Sequence, residues 1–189
     1  DIFNHASGSN PYRYPNFDMY SSEYLKKAYN RSEAIAEISG GSEKVRYYTT
    51  TGYYRESSLL KVGKTEDNYV SRFFVRGNVD MQLHKFITAQ ADANVTFYDS
   101  YSANVDWWGQ TATLRPHLVT PFIPLSYIEA TDQNSLNAVL NSSYLQDGKF
   151  FFGGTQQHPT NPVADAYAAG DSKFVSRQFQ FNTRFNVNL

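Results

Sequence analysis

The sequence predicts an all-β fold: an antiparallel transmembrane β-barrel meander of about five strands, with long extracellular loops that contain short helices. Three observations predict it. Period-two alternation is unusually clean, the alternating runs are far longer than globular strands, and short connections take turns with long ones.

The final segment shows the alternation best. Val175, Phe179, Phe181, Phe185, Val187 and Leu189 fall on one side, and Ser176, Gln178, Gln180, Asn182, Arg184, Asn186 and Asn188 on the other, with only Arg177 and Thr183 interrupting the apolar side. From Tyr69, the set Tyr69, Phe73, Val75, Val79, Met81 and Leu83 alternates with Arg72, Arg76, Asn78, Asp80 and Gln82, with Phe74 as the exception. Ile87, Ala89, Ala91, Ala93, Val95 and Phe97 alternate in the same way with Thr88, Gln90, Asp92, Asn94 and Thr96. Val45 to Arg55 is a Tyr- and Thr-rich strand, and Asn30 to Ser39 a further one.

Gly40-Gly41-Ser42-Glu43 reads as a tight turn, and so does the stretch from Gln82 to Lys85. The resulting organisation is a loop with a helix over 1–29, a hairpin over 30–56, a loop over 57–67, a hairpin over 68–98, a long extracellular loop over 99–173, and a strand over 174–189. In a meander, alternate connections share an end, so all short turns fall on one side and all long loops on the other. Outer-membrane barrels have that asymmetry. A segment such as Lys173 to Leu189 rises roughly 40 Å at a tilt of about 40°, beyond an apolar band of about 25 Å. Tyr53, Tyr54, Tyr69, Phe97, Tyr98 and Tyr101 cluster at the long-loop ends, where an aromatic girdle sits. Helical spacing predicts helices over Asp18 to Tyr29 and Asn134 to Tyr144, both in loop regions. Pro116, Pro121, Pro124, Pro159 and Pro162 make the longest loop a folded excursion.

Composition narrows the function. Against 17 Lys+Arg stand 18 Asp+Glu, so no basic footprint for nucleic acid exists, and zero Cys removes disulfides, thiolate metal sites and cysteine nucleophiles. The mean hydropathy of −0.54 and the absence of any long apolar run exclude a helical membrane span but not a membrane barrel. His5, His84, His117 and His158 have no metal-ligand spacing, and no phosphate loop or nucleophile elbow occurs. Glu33, Glu37, Asp80 and Asp92 sit on predicted polar faces rather than as an acid/base pair. No catalytic residue, metal or cofactor is therefore expected. A start at Asp1-Ile2-Phe3, with no Met or signal segment, predicts a processed product or an excerpt. A soluble secreted carbohydrate-binding β-sandwich remains the alternative, because its strands also alternate and its aromatics fill a core.

The run Gly40-Gly41-Ser42-Glu43-Lys44-Val45-Arg46-Tyr47-Tyr48, continuing to Gly52-Tyr53-Tyr54, closely resembles a stretch of the SusC-like TonB-dependent outer-membrane transporters. Further similar stretches are Tyr14-Pro15-Asn16-Phe17-Asp18, Arg72-Phe73-Phe74-Val75-Arg76-Gly77-Asn78-Val79-Asp80, and Asn161-Pro162-Val163-Ala164-Asp165-Ala166 followed by the strand from Arg177 to Leu189. The resemblance implies a parent barrel of about 22 strands closed by a plug. It implies import of oligosaccharides or peptides driven through TonB, under a SusD-like surface lipoprotein, in a Gram-negative outer membrane. The resembling stretches include neither plug nor TonB-contacting segment, and about five strands cannot close a barrel, so the chain is expected to be one fragment of it. Arg46, Arg72, Arg76, Asp80, Asp92 and Arg184 are then expected to face the lumen. Phe73, Val75, Val79, Phe97, Phe179, Phe181 and Phe185 are expected to face lipid. Trp107 and Trp108, the chain's two tryptophans, are the candidate ligand-binding rings, through stacking on sugar faces.

Overall fold

The computed structural model describes residues 15–16, 18–115, 123–127, 131–141, 145–146, 149–150 and 161–188. His5, His117, His158, Pro116, Pro121, Pro159, Tyr14, Phe17, Leu189 and residues 142–144 of the second expected helix lie outside the described residues.

Four long strands and one shorter one build the larger sheet: β1 (Arg31–Gly41), β2 (Val45–Ser57), β3 (Tyr69–His84), β4 (Ile87–Ala103) and, after a long excursion, the last strand (Asp171–Val187). Three two-residue strands intervene, β5 (Ile123–Pro124), β6 (Leu145–Gln146) and β7 (Lys149–Phe150), so the last strand is β8. The sheet order is β1-β2-β3-β4-β8, the order of the chain, with β1 to β4 antiparallel throughout. Cross-strand contacts pair Asp99 with Arg177, Asn94 with Gln180 and Asp92 with Asn182, so β8 runs antiparallel to β4. Runs of 13, 16, 17 and 17 residues for β2, β3, β4 and β8 far exceed the globular mode of about 5–6.

Residues 42–44 and the two residues Lys85 and Phe86 make the short turns, both at one end of the sheet. The β2–β3 and β4–β8 connections leave from the other end. Where β2 needs room for its neighbour, Gly52 supplies it: a Cβ there would run into the Phe74 ring, which lies across the glycine.

The chain divides into two compact units, and the sheet, 29–58, 68–101 and 173–189, is one of them. The other unites 1–28, 59–67 and 102–172. Its core is Met19, Tyr24, Leu60, Val62, Trp107, Leu114, Val163, Ala164 and Ala166. Two helices frame that core, α1 (Trp107–Thr113) and, after α2 (Gln133–Leu140), α3 (Pro162–Ala168). Asp106 caps α1 by accepting from the Gly109 amide at 3.0 Å, and Asn161 caps α3 by accepting from the Ala164 amide at 2.9 Å with Pro162 as the first helical residue. Gln110 Nε2 donates to Asp165 Oδ2 at 3.0 Å and ties α1 to α3. A second sheet, ordered β5-β7-β6, belongs to the same unit.

The helix expected over Asp18 to Tyr29 does not form. Ser21 and Tyr24 amides bond three residues back and only Leu25 reaches four back, to the Ser21 carbonyl. The chain is then taken up by a neighbouring segment: Lys26 N–H donates to the Leu59 carbonyl at 2.8 Å and Lys61 N–H to that of Tyr24 at 3.0 Å, flanking a Leu25–Leu60 bridge. Tyr24 is buried by this route rather than along a helix stripe. The second expected helix is present as α2, over Gln133–Leu140.

Candidate functional site

Register sorts the five-stranded sheet into two faces, because directly opposed residues of an antiparallel pair point the same way. On one face the rows read Ala34–Tyr53–Phe73–Phe97, Ala36–Thr51–Val75–Val95, Ile38–Thr49–Gly77–Ala93 and Gly40–Tyr47–Val79–Ala91. Phe179, Phe181 and Phe185 share the face on β8 and are 70%, 64% and 64% exposed. Phe73 and Phe97 meet across the strand pair with ring centres 6.0 Å apart and planes tilted by 38°. The hydroxyl of Thr51, a polar group amid this surface, donates to the Phe74 carbonyl at 3.2 Å. An apolar surface of this extent is exceptional on a protein bathed in water.

The other face is polar. Its rows read Glu33–Tyr54–Arg72–Tyr98, Glu37–Thr50–Arg76–Asn94, Ser39–Tyr48–Asn78–Asp92 and Gly41–Arg46–Asp80–Gln90. Arg46, Arg72, Arg76, Asp80 and Asp92 are thus on one face, and Arg184 joins them by its spacing from Asn182, whose Nδ2 lies 3.4 Å from Asp92 Oδ2. Phe73, Val75, Val79, Phe97, Phe179, Phe181 and Phe185 are on the opposite one.

Three acids of the polar face have neutral or local partners. Asp92 accepts from the Asn78 and Asn182 amides, Tyr54 donates its phenol to Glu56, and Arg31 lies 3.7 Å from Glu33. Arg72 and Arg76, both exposed, form no ion pair among the described residues. They line a groove of about 940 Å³ shared with Asp92, Asn94, Tyr98, Phe174 and Gln178. Within it the Arg72 guanidinium sits 5.7 Å from the Phe74 ring centre, and Tyr98 meets Phe174 edge-on at 5.8 Å. Neither the groove nor this Arg–aromatic clustering was named from sequence, although the even-numbered positions of three strands carry it.

The two tryptophans part company. Trp107 is 2% exposed, packed at 5.7 Å on Tyr24 inside the loop-segment core. Trp108 is 50% exposed beside Tyr20, whose ring lies 6.4 Å away and whose hydroxyl is hydrogen-bonded to Thr111 Oγ1 at 3.1 Å. Burial first, then the Glu23 carboxylate, holds the Tyr24 phenol well above the ordinary tyrosine range. Among the described residues no group of three or more His, Asp or Glu side chains could hold a metal ion.

Over 136 residues, 72% of its length, the chain is 26% identical to "TonB-dependent receptor P26" of Formosa agariphila. That likeness supports the TonB-dependent receptor family. The chain spans 12% of the length of that curated relative. No family model matches the chain, and no solved structure matches it.

Proposed function

We propose that this chain is a segment of an outer-membrane TonB-dependent importer, a sector of its barrel wall with extracellular loops. The apolar face meets lipid and the polar face lines the lumen against the plug. The two outer edges of the sheet, on β1 and β8, pair with further strands of the same barrel. The loop segments gathered around Trp107 meet substrate and a SusD-like lipoprotein lid, with energy delivered through TonB by other parts of the protein. Large nutrients, oligosaccharides or peptides, are the cargo.

One observation carries this reading: five strands of 11 to 17 residues whose register exposes predominantly apolar rows on one face and predominantly polar rows on the other. A soluble sandwich would bury such rows beneath a second sheet, yet the other sheet among the described residues has two-residue strands. The test is the native mass of the particle containing this chain, extracted with and without detergent. A detergent-dependent particle of barrel and plug is expected. A detergent-free species near 21.5 kDa would overturn the importer and favour the carbohydrate-binding sandwich.

A further inference from the structure

We infer that the groove at Arg72 and Arg76 is a selectivity site for acidic oligosaccharides, sugars bearing carboxylate or sulfate groups. The inference rests on the importer reading above and names the charge of its cargo.

The argument begins with what the polar face leaves unsatisfied. Within the groove the one lining carboxylate, Asp92, is held by two asparagine amides. Elsewhere on the face Glu33 lies by Arg31 and Glu56 by Tyr54, while Glu37 and Asp80 form no ion pair among the described residues. Arg72 and Arg76 keep exposed guanidiniums without an ion pair among the described residues. A guanidinium presents its donors in a planar fork that fits carboxylate or sulfate oxygens in pairs, and such bonds are roughly twice as strong as neutral ones. Two of them four residues apart on one strand face stand about 13 Å apart along the strand, so they address charges on an extended chain rather than one compact anion.

The remaining lining supplies sugar chemistry. Asn94 and Gln178 carry amides that both donate to and accept from hydroxyls, and Asn94 already exchanges with Gln180 at 3.4 Å. Tyr98 and Phe174 offer ring faces for the apolar side of a pyranose. The groove starts on the loop side of the sheet, where Arg72 lies three residues from the first residue of β3 and Phe174 three from the first of β8, and runs past the strand middles to Asp92 and Asn182. The loop side is the end from which the long connections leave, the side where an incoming ligand is met first.

The probe is a galacturonate hexamer, compared with its methyl-esterified form, which keeps the shape and removes the charge. Titrated into the full-length protein in detergent by calorimetry, the acid is expected to bind at least tenfold more tightly than the ester, less so as salt rises. Arg72→Gln and Arg76→Gln should each lower the affinity for the acid five- to tenfold, leave the ester unchanged, and be only partly rescued by Lys in the same place, which restores the charge but not the planar fork. Equal affinity for acid and ester, or no binding of the hexamer, overturns the inference. So does an unchanged acid affinity in both variants accompanied by a protease-sensitive plug, which would make a plug segment the partner of the two arginines. Failure of the importer reading is separate, since it shows as a folded protein that needs no detergent.

Discussion

Arg177 on β8 and Asp99 on β4 form an ion pair in which one guanidinium nitrogen reaches both carboxylate oxygens, at 2.9 and 3.2 Å, on the otherwise apolar face of the sheet. The other terminal nitrogen donates to the backbone carbonyls of Tyr98 and Ser176, at 3.0 and 2.8 Å, and the guanidinium lies 5.3 Å from the Phe97 ring centre. Arg177 interrupts the alternation of β8, and this is why the interruption is tolerated. Its row reads Ser32–Arg55–Ser71–Asp99 across the neighbouring strands, the first polar row beyond Phe73 and Phe97. Polarity returns there on several strands at once, as at the edge of a hydrocarbon layer.

Both partners remain partly exposed, so the pair itself is weak. Asp99→Ala and Arg177→Ala in a double-mutant cycle should give a coupling of about 0.5–1 kcal/mol by chemical denaturation, falling with added salt. A coupling above about 3 kcal/mol would mean that the row is buried rather than at a boundary.

Charge tolerance separates the two faces. Val79→Arg or Phe181→Arg should cost about 2–4 kcal/mol of stability in a bilayer, whereas Arg76→Glu or Arg184→Glu on the polar face should cost under about 1 kcal/mol. Urea unfolding of the full-length protein in liposomes measures both. Equal losses on the two faces would remove the membrane setting.

Gly52→Val should destabilise the sheet by about 1–3 kcal/mol through collision with the Phe74 ring. Phe74→Ala in the same molecule should recover most of that loss, whereas a purely conformational glycine effect would not be recovered. Thermal unfolding of the single and double variants decides between them.

Trp107→Ala should remove about 3–5 kcal/mol from the loop-segment unit, because its ring is the largest fully buried side chain there. Trp108→Ala should stay within about 0.5 kcal/mol, its ring being half exposed. Limited proteolysis of segments 59–67 and 102–172 reports the difference. A role for the exposed Trp108 in ligand capture would appear in affinity and not in stability.

Tyr24 predicts alkaline behaviour. Its phenol is raised in the folded state by burial and Glu23, so between the ordinary value of 10.0 and the folded one the unfolded chain has lost a proton that the native state keeps. Stability of the loop-segment unit is therefore constant below about pH 10 and falls above it. Tyr24→Phe should flatten that fall, measured by near-ultraviolet circular dichroism between pH 8 and 12 as about two units either side of the ordinary tyrosine value.

The strand faces were legible because their physics is local. A side-chain period of two and a polar or apolar choice at each position need nothing from the rest of the chain, which is how Phe179 and Arg184 could be assigned to opposite faces from spacing alone. The helix caps Asp106 and Asn161-Pro162 were equally local signals, and reading them would have located α1 and α3 in advance. The missing helix after Asp18 was not legible, since its fate depends on backbone bonds from Lys26 and Lys61 to partners some 33 to 37 positions away.

Sequence alone thus determined the strand-and-turn plan and the polarity of each face, because alternation and turn chemistry act between neighbours. Only the tertiary structure decided that Trp107 is core while Trp108 is surface, that Arg177 is answered by Asp99, and that Arg72 and Arg76 share a groove whose acid, Asp92, is held by asparagine amides. The tryptophans' fates depend on how α1 packs against Tyr24, and the two arginine outcomes on strand register, where a one-residue slip would turn a strand's side chains to the opposite face.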